Sequence, residues 1–342
     1  MTATIVVEGT RLEGFEEGTL QLTMTEAVNT FEVSYVPPTL LDRLVFEQDR
    51  VEVRIGDEVL LEGHVDETDE EDDTERVRVR VLGRSAAQDV VDCSAIQAPG
   101  SWTNATIGTI VADLAAPFSV GTFVDDREGK RFATFSVTKG DTAYDTIARA
   151  AVKRGLIVYS VGGDLVLARA GSYRTATVLE RGANVIRSGR RSSMLNRYSQ
   201  YVFAGQARPN EDTWGSRSQQ LKHIVVDEHV RRFRPLRVNA ESHSGLDLEG
   251  RALLERNQRA GKSETVSCTV RGHLTDEGAA WRPNTLVHFR NPVLGIDATL
   301  IIVTARFHFG AAEDDSTELE LARPEAYDIA KYPALGRGET WT

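Results

Sequence analysis

Two stretches decide the reading of this chain. The first is EVLLEGHVDETDEEDDTERVRVRVL, from Glu58 to Leu82, and the second is TLIIVTARFHFGAAEDDSTELELA, from Thr299 to Ala322. Each reads as a strand, a turn carrying Glu-Asp-Asp and then Thr or Ser, and a second strand in strict apolar–polar alternation. That period of two belongs to a half-buried β-ribbon. Laying Glu71-Asp72-Asp73-Thr74 on Glu313-Asp314-Asp315-Ser316 aligns Val77 with Leu319 and Val79 with Leu321. Such self-similarity signals a duplicated unit, and it predicts two similar small β-barrel domains. The same alignment sets Arg76 against Glu318 and Arg78 against Glu320. Opposite charges at matching places make these four residues candidate inter-barrel contacts.

The rest of the chain is read outward from these stretches. Residues 1–88 form the first barrel, with β-rich runs at Ile5 to Val7, Leu20 to Thr25 and Thr30 to Val36, and a tight turn at Gly56-Asp57. Residues 89–188 form an α+β domain. Thr106 caps a helix that presents Ile107, Ile110, Val111 and Leu114 on one face and closes at Pro117. A second helix is expected from about Asp141 to Arg154, capped by Asp141 and stopped at Gly155. A hairpin turning at Gly162-Gly163 follows. Residues 189–225 and 263–327 form the second barrel, and 328–342 a C-terminal tail. A helix from about Asp247 to Ala260, ending at Gly261, lies in the segment of about 226–262 that is the candidate to complete the middle domain. The polar stretch from Gly205 to Gln220 is expected to be a long loop. The fold class is mainly β with an α+β insert.

Bulk properties exclude several classes of function. The chain has 342 residues, 41% hydrophobic and 27% charged, the balance of an ordinary globular protein. No apolar run approaches the ~18 residues of a membrane-spanning helix, and the opening MTATIVVEGTRLEG predicts no secretory signal. Cys93 and Cys268 are far apart and fit a reducing site of synthesis. A net charge of −11 disfavours non-specific nucleic-acid binding, which draws on Lys and Arg to neutralise phosphates.

The sequence offers no constellation for catalysis. Asp92-Cys93-Ser94 could hold a nucleophile, but no His lies nearby as a base and no Gly-x-Ser-x-Gly elbow is present. The expectation is a buried thiol and a turn serine. The histidines, His64, His223, His229, His243, His273, His288 and His308, follow no metal-ligand spacing. The acidic run Asp66 to Glu75 lacks the glycine that a calcium loop bends on, and reads as a solvated hairpin tip. No catalytic, cofactor or metal residues are expected, and the chain is read as no enzyme.

One segment, FSVTKGDTAYDTIARAAVKRG, resembles the opening of a LysM module, where a Gly-Asp-Thr turn leads into a helix. A hairpin follows here in place of the second LysM helix. A peptidoglycan-binding cell-wall module is therefore the alternative reading. A longer ordered set of motifs resembles the Mu-type tail protein P family, the baseplate hubs of contractile phage tails. That family is itself similar to the T4-type hub and the base of type VI spikes. The matching residues are Asp92 to Ile96, Pro99-Gly100-x-Trp102, Asp113 to Phe118, Gly140-Asp141-Thr142, Leu165 to Gly171, Arg197-Tyr198-Ser199, Trp281-x-Pro283-Asn284 and Leu321 to Tyr327. The resemblance implies a homotrimer whose paired barrels make a ring of pseudo-six-fold symmetry. Such a ring joins a six-fold tail tube to a three-fold central spike beside other baseplate proteins, and DNA passes through it without specific binding. It further implies a place in the virion tail baseplate, after synthesis in the host cytoplasm. In that frame residues 90–102 are the joint between the first barrel and the α+β domain.

Overall fold

Period-2 patterning builds most of the molecule. The computed structural model describes residues 3–12, 15–37, 44–72, 76–96, 100–125, 131–206, 220–240, 248–311 and 315–327. Its first strands are β1 (Ala3–Val7), β2 (Thr10–Leu12), β3 (Phe15–Thr23), β4 (Thr30–Tyr35), β5 (Arg50–Ile55), β6 (Glu58–Asp72) and β7 (Val77–Ser85). The middle of the chain holds α1 (Gln88–Asp92), β8 (Ser101–Ala105), α2 (Ile107–Ala115), β9 (Thr122–Val124), β10 (Phe132–Ser136), α3 (Ala143–Val152), β11 (Ile157–Val161) and β12 (Asp164–Ala168). Next come β13 (Tyr173–Glu180), β14 (Val185–Ser192), β15 (Gln200–Gln206), β16 (Gln220–Val226), β17 (Pro235–Ala240) and α4 (Leu248–Lys262). The last strands are β18 (Glu264–Arg271), β19 (Thr285–Asn291), β20 (Ile296–Phe309) and β21 (Ser316–Ala322).

The two β regions are not separate barrels. They join in one 13-stranded sheet, ordered β14-β18-β21-β20-β3-β4-β7-β6-β5-β1-β2, with β19 on β20 and β13 on β19. Neither half closes on itself among the described residues. Instead β3 of the first half pairs with β20 of the second, and one continuous apolar core runs under both, from Ile5 and Val53 to Phe289 and Leu321. The physical reason is visible in β20: it is long enough for β19 to pair with its first part and β3 with its last.

The duplication itself is written in the hydrogen-bond ladders. The antiparallel order β3-β4-β7-β6-β5 recurs as β14-β18-β21-β20-β19, in the same chain order. Bulges, which re-aim a strand and mark its register, fall at equivalent places. One lies between Phe15 and Glu17 of β3 and between Val185 and Arg187 of β14. Another lies between Val65 and Glu67 of β6 and between Ile302 and Thr304 of β20. Even the turns entering β5 and β19 agree: Gln48 (φ 75°) and Asn284 (φ 62°) are both left-handed. Their amides donate to the carbonyls of Val65 and Ile302, at 2.8 and 2.9 Å.

This pairing corrects the register drawn from the acidic turns. Thr30↔Arg84 matches Thr265↔Ala322, so Arg80 takes the place of Glu318, Leu82 that of Glu320 and Arg78 that of Ser316. The β6–β7 ladder runs on to Asp72↔Val77, so acidic residues at similar distances from a turn are not structural equivalents. Asp73, Thr74, Glu313 and Asp314 lie outside the described residues.

The α+β insert follows its caps. Thr106 Oγ1 accepts from the Thr109 amide at 3.2 Å, and α2 buries Ile107, Ile110, Val111 and Leu114 before a 3-10 turn at Ala116–Phe118 containing Pro117. The cap of α3 is Thr142, not Asp141. Thr142 and Asp145 form a reciprocal capping box with both bonds at 3.0 Å, and Asp141 is held by Arg149. β11 and β12 turn at Gly162-Gly163 as expected, and β12 adds β9 in parallel.

Two segments take places the sequence did not assign. β13 and β14 enter the large sheet, while β15, β16 and β17 form their own three-stranded sheet. That sheet and α4 share a small core of Tyr201, Phe203, Val225 and Ala252. Residues 200–206 and 220–226 thus pair outside the large sheet, and α4 packs on them. Gly261 does not stop α4. A Cβ there would lie 2.2 Å from that of Ala326, so the glycine lets the helix approach the turn at Pro324–Ala326. The stretch 207–219 and the tail 328–342 lie outside the described residues.

Candidate functional site

Among the described residues no group of three or more His, Cys, Asp or Glu could hold a metal ion. The geometry that stands out lies along strand edges. At the seam, β20 and β3 run antiparallel from Thr304↔Thr23 to Phe309↔Gly18. Leu20, Leu22, Ala305, Phe307 and Phe309 point inward and are buried. The Phe309 ring lies 2.3 Å from where a Gly18 Cβ would be, so any larger residue at position 18 would displace it. On the outer face Arg306 bridges the seam: its Nε donates to Gln21 Oε1 at 3.1 Å and its Nη1 to Glu318 Oε2 at 3.4 Å.

The candidate charges sit beside this seam. Arg76 and Arg78 both grip Glu16, at 2.9 and 3.1 Å, and Glu16 occupies the bulge of β3. Glu318 reaches the seam through Arg306. Glu320 is exposed and lines a shallow open groove with Arg190, Arg191, Arg306 and Glu318. The structure therefore does not bring the arginine pair to the glutamate pair. Arg76, Arg78 and Glu318 engage the seam from its two sides.

From Asp66 to Asp72 the acidic run is strand, since β6 extends to Asp72; residues 73–75 of the expected tip lie outside the described residues. What holds it extended is the ladder with β7 and a row of arginines. Arg84 Nε bonds Asp66 at 2.7 Å, and Arg80 bonds both Asp69 at 3.2 Å and Glu32 at 2.6 Å. Cross-strand pairing of opposite charges offsets the poor β-propensity of consecutive carboxylates.

Asp92-Cys93-Ser94 is a backbone joint. The Cys93 carbonyl accepts from Ala143, the Ala95 amide donates to Asp141, both at 3.1 Å, and Ser94 bridges Thr142. These bonds pin the end of α1 to the start of α3. Cys93 is exposed, against expectation; the buried thiol is Cys268, whose pKa burial pushes up to about 12. Ionised cysteine, the nucleophilic form, is thus disfavoured at Cys268.

Among the described residues the histidines are dispersed; His243 lies outside them. His273 is buried against Phe307 and Phe309, with Nδ1 3.1 Å from Thr317 Oγ1. Burial lowers its pKa, against the pull of Asp315 at 3.6 Å. His288 pairs with Asp297 at 2.7 Å on the surface. Sequence reading missed one buried polar centre. Arg197 forks onto Asp227 at 2.6 and 3.2 Å and reaches Ser263 at 3.2 Å. Burial pushes Asp227 up, but the hydrogen bonds and charge of Arg197 outweigh it, and the carboxyl lies below its ordinary value. Nothing local in the sequence pairs residues so far apart.

Comparison with known proteins adds to this geometry. Residues 87–169 match the family model for the second domain of baseplate hub protein gp44-like proteins. Residues 247–330 match that for the fourth domain of the Mu phage baseplate assembly protein GpP. Baseplate hub protein gp44 of Escherichia phage Mu is 28% identical over 314 residues, covering 89% of this chain and 82% of that protein. The 43 kDa tail protein of prophage MuSo2 from Shewanella oneidensis superposes with a TM-score of 0.85 at 25% identity, over 96% of this chain and 99% of that one. The fold extends to the E. coli c3393 protein, a component of the type VI secretion system, at TM-score 0.60 and 10% identity over 97% and 79% of the chains. The LysM-like segment falls inside the first matched domain, where its Gly-Asp-Thr serves to cap α3. These relatives are structural baseplate and tail proteins, not enzymes.

Proposed function

We propose, from the premise that this chain is a relative of the Mu-type baseplate hub proteins of phage tails, that it is a trimeric adaptor between tail tube and spike. Three copies, each with two equivalent β-units, would present six similar units to a six-fold tail tube and three-fold symmetry to a central spike. The observation that carries this reading is the duplicated sheet, with its bulges and entry turns at matching positions. A chain that repeats a unit twice can adapt one symmetry to the other when three copies close a ring. Arg76, Arg78 and Glu318 would brace the seam between units, and Glu320 would face the outer groove. The net charge of −11 suits a lumen through which DNA passes without holding. The place of action is the virion tail baseplate.

The test is the mass of the purified protein in solution. Three copies are expected, with no duplex DNA retained near 150 mM salt. A protein that stays monomeric at every concentration tried, or binds duplex DNA at micromolar levels in that salt, would overturn the reading.

A further inference from the structure

The seam shows how one unit binds the next, and each chain carries both halves of a second seam that its own strands, among the described residues, do not make. In the repeat, β14 is the equivalent of β3 and β6 the equivalent of β20. Within the chain β3 pairs with Thr304–Phe309 of β20. The corresponding part of β6 is Glu67–Asp72, which pairs with β7 on one side; on the other side its ladder with β5 stops at Arg50↔His64, and beyond it the Thr68 hydroxyl donates to the Glu47 carboxylate. β14 ends the sheet, and among its described residues β18 is its ladder neighbour over the length of the strand.

We propose that β14 of one copy docks antiparallel on Glu67–Asp72 of a second copy, in the register that the internal seam dictates. Carried across the bulges, Thr304↔Thr23 and Phe309↔Gly18 become Glu67↔Ser193 and Asp72↔Ser188. Asp69 then lies opposite Arg191, and Glu70 opposite Arg190. The strand edge is acidic on one side and basic on the other, and the charges meet in the register fixed by backbone geometry alone.

Three further observations agree. Asp69 is the equivalent of Arg306, Arg80 of Glu318 and Arg191 of Gln21. Where the internal seam has Glu318–Arg306–Gln21, the seam between copies has Arg80–Asp69–Arg191, its inner pair already formed at 3.2 Å. Arg191 is exposed and has no carboxylate partner in its own chain among the described residues. The turn at Gln48 that bonds Val65 matches the turn at Asn284 that bonds Ile302, and beside the latter β3 pairs with β20. The pairing is head-to-tail, so it closes into a ring or runs on as a filament. The ring of three rests on the function proposed above.

Directly opposed residues on antiparallel strands have Cα atoms roughly 4.5–5.5 Å apart, within disulfide reach. In a Cys93→Ser background, Asp69→Cys and Arg191→Cys placed on separate chains should cross-link on oxidation when mixed. Neither should link alone. The double variant should yield a ladder that ends at the mass of the native assembly. If the parent protein associates but this pair stays unlinked while Asp69→Cys links to Arg187→Cys, the register is wrong. If the parent associates and no pair along β6 and β14 links, the docking itself is wrong and the assembly reading stands. A parent that is monomeric at all concentrations overturns both.

Discussion

The last part of β20 and the last part of β6 occupy equivalent places in a duplicated sheet, yet their chemistry is opposite. Thr304 to Phe309 alternates into a buried apolar face under β3. Glu67 to Asp72 is almost wholly acidic and largely exposed. The difference follows from when each edge meets its partner. The β20 edge is covered as the chain folds, so it can be apolar at no risk. An edge that waits for a second molecule is exposed until then, and an apolar one would recruit any other strand. Charge keeps the waiting edge soluble and selects a basic partner.

Breaking the permanent seam should have the largest effect. Phe309→Ala removes a fully buried ring, and such truncations cost roughly 3–5 kcal/mol. Denaturant unfolding of the monomeric protein should show it. Asp69→Ala, on the waiting edge, should shift the same curve by less than about 0.5 kcal/mol. Equal losses at the two sites would remove the distinction between a folding seam and an assembly edge.

A second cut separates the large sheet from the small one. Asp227→Asn leaves the Arg197 guanidinium buried without its counter-charge, a change that costs about 3 kcal/mol, and hydrogen exchange should place the loss in β15, β16 and β17. Acid should strike the two regions in order. The pKa of His273 is lowered in the fold, so the unfolded chain binds a proton that the folded one refuses. Stability from this site falls as pH drops below about 6.5. Asp227 is also lowered, but its contribution is complete above the unfolded value near about 3.9 and is lost only as pH falls toward the folded one. Thr317 and the second half should therefore loosen at mildly acidic pH, before β15. The reverse order by exchange would contradict these assignments.

How much of this was legible in the sequence depends on range. Alternation placed the strands, and local caps such as Thr106 placed the helices, because both act within a few residues. The repeat was legible too, but its register was not. Acidic turn residues drew the alignment to Glu71 and Glu313, whereas bulges at Asp66 and Val303, which no composition signals, set the true correspondence. Closure is hidden for a similar reason. Each half has the strands of a small barrel, and only the long-range pairing of β3 with β20 shows that the edges are shared. Strand from Asp66 to Asp72 is not legible because consecutive carboxylates repel; the arginines that hold it extended lie on the next strand, in what reads as a solvent face.

Charge reversal should act more weakly than the core cuts, and on different observables. Asp69→Arg with Glu70→Arg should weaken self-association, and should cost the monomer only the exposed Asp69–Arg80 pair, at most about 1 kcal/mol. Adding Arg190→Glu and Arg191→Glu should restore self-association. Exposed pairs contribute at most about 1 kcal/mol each, so sedimentation at low salt is the sensitive measurement. Arg76→Glu with Arg78→Glu should instead lower monomer stability slightly by releasing Glu16. Glu318→Arg with Glu320→Arg should not rescue it, because the two pairs do not face each other within the chain. A rescue there would point to a contact between copies at those residues.

The smallest effect is expected at the joint between the sheet and the α+β insert, where the sequence most resembles a catalytic site. Cys93 and Ser94 are exposed, and the bonds that fix the joint come from backbone atoms: the Cys93 carbonyl, the Ala95 amide and the Ser94–Thr142 bridge. Cys93→Ala and Ser94→Ala keep all of these. Each should change stability by no more than about 0.5 kcal/mol and leave assembly intact. Ala95→Pro is the contrasting change. It deletes the amide that donates to Asp141 at 3.1 Å, and leaving that carbonyl without its donor should cost on the order of 1–3 kcal/mol. Thermal unfolding of the three variants side by side decides the matter. A backbone joint requires the proline variant to fall well below the two alanine variants; a well-folded Cys93→Ala protein that assembles but cannot support tail function would instead give the thiol a chemical role.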